Sequence, residues 1–191
     1  MFKQSLITAV IALVVLGTAG MASAVTHNGS GTYNYPPLTT AAGEDVFAKD
    51  TTKVNLLPGG EIGYDLASDN DSTVTVSGGT IVGWLQADDN STLTVSGGEF
   101  GGGLEAEGNS TVTIIGSGFN LPYGDYFDGG SLDGLTLTGL LGDGTAINNQ
   151  VRIYESATVT LAAPVATVPE PATAALVLLG AGGLMCRRRA A

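Results

Sequence analysis

The chain has 191 residues, 18 acidic side chains against 7 basic ones, and a net charge of -11. Between Val25 and Val168 only Lys49, Lys53 and Arg152 are basic against seventeen acids, so this body carries -14 and is ill-suited to nucleic acid or an anionic membrane surface. Its one cysteine, Cys186, lies near the C-terminus, which excludes an internal disulfide, a thiol nucleophile or a cysteine-built zinc site from the body.

Residues 1–24 have the layout of a secretory signal peptide: the basic start Met1-Phe2-Lys3-Gln4, an apolar run from Leu6 to Leu16, and Ala22-Ser23-Ala24 as a small-x-small site. Cleavage by signal peptidase at Ala22 and Ala24 places the mature start near Val25. Residues 25–52, with Thr32-Tyr33-Asn34-Tyr35-Pro36-Pro37, read as an N-terminal cap. His27, the chain's one histidine, sits among Gly, Ser and Asn, and reads as a disordered terminal residue; no Ser-His-Asp arrangement can be built on it.

Residues 53–119 are repetitive. Ser72–Asn90 reads STVTVSGGTIVGWLQADDN, Ser91–Asn109 reads STLTVSGGEFGGGLEAEGN, and Ser110 onward reads STVTIIGSGFN, a period of nineteen. A degraded earlier copy fits the same frame through Gly59-Gly60, Ile62 and Leu66. Thr73-Val74-Thr75-Val76 alternates polar with β-branched apolar residues, the pattern of a strand, and Gly78-Gly79 and Asp88-Asp89-Asn90 make turns. By parity Ile81, Leu85 and Ala87 face inward, whereas Thr80, Val82, Trp84 and Gln86 face outward.

Two short strands cannot bury an apolar face alone, but stacked copies can. Ile62, Ile81, Phe100 and Phe119 would form one inner column and Leu66, Leu85 and Leu104 another. The expected fold is therefore all-β, a small β-solenoid of about four nineteen-residue coils with irregular β caps, flanked by an N-terminal signal helix and a C-terminal hydrophobic helix. An antiparallel meander uses the same strands and remains the alternative. Residues 120–161 form the C-terminal β cap, with strands at Leu135–Leu137, Val151–Ile153 and Thr158–Leu161, and residues 162–168 are a linker. Leu137–Thr145 resembles, over a short stretch, a closing segment that follows such repeats in exported bacterial solenoids.

Asp69, Asp88 and Glu107 occupy one repeat position. Stacking brings such acids to about 5 Å, where like charges repel by about 1 kcal/mol even in bulk water. They are read either as solvated turn acids or as ligands of a weakly held calcium ion, the former preferred; no other cofactor is expected. Asp88 and Asp89 cannot serve as a glycosidase pair, because adjacent strand residues point apart. Trp84 is the one tryptophan. Exposed, it could contact a sugar ring, but no aromatic repeats along its column, and packing against a cap is preferred. Four Asn-x-Ser/Thr sequences follow from a repeat rich in Asn turns and Ser/Thr strands, and carry no weight.

Pro169-Glu170-Pro171 breaks any helix running toward the body. Ala172–Met185 then gives fourteen apolar residues. As a helix these reach about 21 Å against a hydrocarbon core of about 30 Å. Arg187-Arg188-Arg189 follows and would stay on the cytoplasmic side. Val168-Pro169-Glu170-Pro171, a short Gly/Ala/Leu segment and an arginine cluster, in that order, resemble the PEP-CTERM sorting signal of Gram-negative bacteria. The resemblance covers residues 169–189 with Val168 before them. It implies transient inner-membrane insertion, processing by an exosortase-type membrane peptidase, and a final place at the cell surface or in an extracellular matrix, with exopolysaccharide as a partner. The expected function is that of a non-enzymatic, exported matrix or surface protein. The alternative is a carbohydrate-binding or carbohydrate-cleaving β-helix module.

Overall fold

The computed structural model describes residues 24–36 and 38–165. The signal peptide before Ala24 and the sorting segment 169–189 lie outside the described residues. Among the described residues every regular element is a strand, and the chain lays them down coil by coil. An opening rung consists of β1 (Ala24–His27) and β2 (Thr32–Tyr35). Four coils follow: β3 (Asp45–Ala48) with β4 (Lys53–Leu56) and β5 (Glu61–Ile62); β6 (Leu66–Ser68) with β7 (Thr73–Ile81); β8 (Leu85–Ala87) with β9 (Thr92–Phe100); and β10 (Leu104–Ala106) with β11 (Thr111–Ser117). The closing part holds β12 (Gly124–Tyr126), β13 (Thr136–Leu141), β14 (Ala146–Ile153) and β15 (Thr158–Ala162).

Successive coils pair in parallel along two main ladders. One runs β1-β3-β6-β8-β10-β14 and the other β2-β4-β7-β9-β11-β15. Parallel pairing of consecutive coils excludes the antiparallel meander and makes the body a β-solenoid. Because the register is fixed, like positions stack. Leu66, Leu85 and Leu104 form the expected inner column, extended by Val46 before and Val151 after, all fully buried. Facing it, Val54, Val74, Leu93, Val112 and Val159 make a second column, and Leu56, Val76, Val95, Ile114 and Leu161 a third. Burying one such side chain stabilises the fold by about 1.5–3 kcal/mol, and the columns repeat that gain at every rung.

The stack outruns the repeat at both ends. Residues 25–52, expected as a cap, pair in the same ladders as the repeats; their spacing widens to twenty residues at Val46↔Leu66 and twenty-one at Val25↔Val46. The degraded copy holds an extra residue, since Leu56 pairs with Val76 but Glu61 with Thr80. It is accommodated at the Pro58 corner. Residues 151–161, also placed in a cap, instead add a further parallel rung on β10 and β11. The covering of the C-terminal end comes from what lies between. The strand β12 pairs antiparallel with β15, while the 132–135 segment bonds to β14 through Gly134 N to Val151 O at 2.8 Å and Val151 N to Leu135 O at 2.9 Å, with Leu132 buried beneath. Both exposed strand edges are thereby closed.

Phe119 does not join the column of Ile62, Ile81 and Phe100. Parallel register between β9 and β11 stops at Val95↔Ile114, and Gly116 and Ser117 turn to pair antiparallel with Leu141 and Leu140. Phe119 packs edge-on against Tyr123 instead, at 6.1 Å between centroids. Over Phe100 lies Asn149, whose Nδ2 donates to the Phe100 and Gly102 carbonyls at 2.7 and 2.6 Å.

Candidate functional site

The corner after the first ladder carries the acids. In every rung one residue there takes the left-handed conformation: Gly29, Asp50, Asn70, Asp89, Gly108 and Glu155, with φ between 54° and 94°. Gly, Asn and Asp reach that region at least cost, which is why the turns of the repeat are spelled with them. Directly before it stand Lys49, Asp69, Asp88 and Glu107 in one column, fixed by amide bonds from each to the rung before it.

The column is thus present, but its members do different things. Lys49 Nζ lies 2.9 Å from Asp69 Oδ2, and this hydrogen-bonded pair holds Asp69 below the ordinary carboxylate value. Asp88 has no such cation. Burial, followed by the charges of Glu107 and Asp69, pushes it up from 3.8 to about 6. Among the described residues, no group of three or more His, Cys, Asp or Glu side chains is arranged to hold a metal ion. Asp69, Asp88 and Glu107 stand in the row that the sequence placed them in, with Asp69 turned to Lys49. The Lys49 partner was hidden by the twenty-residue spacing of that coil.

Trp84 lies outside the core, as its parity requires, yet it is not a free platform. A Cβ on Gly103 would sit 2.5 Å from its ring, and one on Gly102 2.8 Å from it, so the indole lies across the backbone of the next rung. The Arg152 guanidinium stands 4.6 Å from the ring centroid and 3.7 Å from Glu105. The indole thus packs against the next rung and the closing segment.

His27 departs from the disordered terminal residue that the sequence suggested. It is buried, stacks on Tyr33 at 3.7 Å between centroids, and shares a 2.8 Å hydrogen bond with the Tyr35 hydroxyl. Burial lowers its pKa. It plugs the N-terminal mouth of the solenoid.

The glycine corners indent the surface. Gly79 and Gly98 have positive φ, and a Cβ on either would meet a carbonyl of the preceding rung at 2.7 and 2.9 Å. The result is a shallow open groove of about 420 Å³ whose floor is glycine backbone and whose walls include Pro58, Glu61, Glu99 and Asp143. Burial raises the Asp143 carboxyl, but amide donors at Thr145 (2.8 Å) and Gly98 (3.0 Å) outweigh it and hold the group low. Asp143 is thereby a structural tie between the β13–β14 hairpin and the third coil. No aromatic ring lines this groove.

No curated protein and no solved structure matches the chain. A family match falls on the C-terminus. Residues 167–189, which contain Pro169-Glu170-Pro171 and the three arginines, match the PEP-CTERM protein-sorting motif, a signal recognised by exosortase-type membrane peptidases, and the chain is accordingly an exported protein with a membrane-associated C-terminal sorting signal.

Proposed function

We propose that the protein is a non-enzymatic component of the cell surface or extracellular polymer matrix, delivered there by processing of its C-terminal signal. The sorting motif at residues 167–189 carries this reading. The side chains of the body support it. Asp69 is paired with Lys49, Asp143 ties two segments together, and Trp84 is covered by Arg152. They serve the stack rather than converging on a substrate. An acidic body also stays soluble and repels anionic surfaces once released.

Mass spectrometry of the protein from its host tests the processing. A C-terminus between Val168 and Pro171 in the polymer fraction is expected, and Glu170→Ala should leave a longer, membrane-held form. Recovery of chains ending at Ala191 in the inner membrane for both proteins would make the tail an ordinary anchor. The second reading, a carbohydrate-binding module, draws on the glycine-floored groove. Affinity for exopolysaccharide that Glu99→Ala, at the exposed wall of the groove, abolishes without unfolding would favour it.

A further inference from the structure

The outward face of the second ladder differs from that of the first ladder and from the glycine corner. Along four successive rungs every outward position of β7, β9, β11 and β15 next to the first turn is threonine. One column runs Thr73, Thr92, Thr111 and Thr158, and the other Thr75, Thr94, Thr113 and Thr160. Register is unbroken across these pairs, and each threonine is half-buried or exposed. The columns have a repeat of about 4.8 Å between rungs and stand about 6.6 Å apart along the strand. The grid is therefore about 14 Å long. It ends where Lys53 and Asn55 take the same positions on β4. At the far end the Thr160 hydroxyl donates to Asp125 at 2.7 Å.

Strand propensity alone does not explain the choice. Val, Ile, Tyr and Phe suit a pleated surface as well as Thr. The first ladder, under the same backbone constraint, shows Ala67, Gln86, Glu105 and Arg152 at its outward column. The glycine corner shows Glu61, Thr80 and Glu99. A body of charge -14 thus keeps one face free of charge over eight positions and fills it with a single side chain. Such a face suits a neutral partner. Its periodicity in two directions suits a partner with a two-dimensional repeat rather than a single polymer strand, and it has neither a groove nor an aromatic ring on which a sugar would stack.

Each threonine offers a hydroxyl that donates and accepts, beside a methyl that restricts the water around it. Held on a rigid ladder, such hydroxyls would anchor water at fixed intervals and the methyls would order the water between, giving a lattice-like first hydration layer. We propose that the threonine face of β7, β9, β11 and β15 binds ice. This goes beyond the matrix reading and does not depend on how the C-terminus is processed.

The test uses the protein expressed for export and purified as it is recovered, with ice recrystallisation and the habit of single ice crystals as readouts. The wild type is expected to keep ice grains small and to facet single crystals. Thr94→Lys, at the centre of the grid, should lose both effects with an unchanged far-UV circular dichroism spectrum. Thr92→Lys, at a more exposed position, serves should Thr94→Lys fail to fold. Gln86→Lys, on the other ladder, should retain both effects. Wild type no better than an equal mass of albumin overturns the proposal, as does activity that survives both grid substitutions. Binding to a neutral insoluble polysaccharide that the grid substitutions abolish, with no effect on ice, would assign the face to a glycan and overturn it equally.

Discussion

The Arg152 guanidinium lies 4.6 Å from the centre of the Trp84 ring, although Trp84 leads into β8 and Arg152 stands on β14, two rungs further along the stack. A side chain from the closing segment therefore clamps the middle of the solenoid. Arg152→Ala should uncover the indole. We expect a red shift of its emission, a gain in acrylamide quenching and a loss of about 0.5–1 kcal/mol in stability. Unchanged fluorescence would mean that the arginine does not cover the ring in solution.

Leu85 and Gln86 are neighbours with opposite fates. Leu85 is fully buried between Leu66 and Leu104, whereas Gln86 faces outward between Ala67 and Glu105. Leu85→Ala should cost about 2–5 kcal/mol by opening a cavity. Leu85→Asp, which buries an unpaired charge, should prevent folding. Gln86→Ala should change stability by less than about 0.5 kcal/mol. Urea melts that gave similar midpoints for Leu85→Ala and Gln86→Ala would reverse the two faces.

Gly98 has φ of +93° and no room for a Cβ, which would lie 2.9 Å from the Gly78 carbonyl oxygen. Gly129 also has positive φ, but nothing lies within 4 Å of its Cβ position. Gly98→Ala should thus cost more than Gly129→Ala, by about 1–3 kcal/mol, since only the first adds a clash with a neighbouring coil to the backbone strain. Equal losses of melting temperature would show that the coils are not packed this closely.

Asp88 gives the fold a pH dependence of definite sign. Its folded pKa of about 6 lies above the ordinary 3.8. Between those values the folded state keeps a proton that the unfolded chain has released, so this group lowers stability as pH rises through the window. Asp69 and His27, whose pKa values are lowered, act the other way and lose stability as pH falls. Comparing Asp88→Asn with wild type cancels the contribution of His27, which is not among the groups that act on Asp88. The variant should be more stable at pH 7 by about 1 kcal/mol, after allowance for solvent screening, and no more stable at pH 3. A gain of the same size at both pH values would remove charge as the cause.

The middle of the fold was legible because a strict period makes each residue its own prediction. Leu66, Leu85 and Leu104 could be aligned by counting nineteen, and alternation assigned their faces. The ends were not legible for two physical reasons. A coil can absorb an extra residue at a corner, as at Pro58, so Val46 and Lys49 fall out of a fixed frame while their backbones stay in register. A rung can also be supplied from far along the chain, as Val151 is to Leu104. Phe119 shows the converse: it keeps the count of nineteen yet leaves the column, because its strand has already turned away to meet Leu140. His27 sat in a polar sequence that hid its partners Tyr33 and Tyr35. The threonine face was visible as strand chemistry, but its completeness emerged only when β15 took its place beside β11.

The chain leaves the axis after β11 and rejoins it at β14 and β15, which stack on β10 and β11 as though nothing had intervened. That detour is where new material can be grafted. Closing a loop twice as long costs only about 0.6 kcal/mol more, and the rungs on either side hold each other through their own ladders. Only the stretches at 124–126, 132–135 and 136–141 are committed to covering strand edges. Between them, around Asp128–Gly130, length and character are free to drift, so descendants of this chain can acquire a new outward-facing appendage while inheriting the same spine.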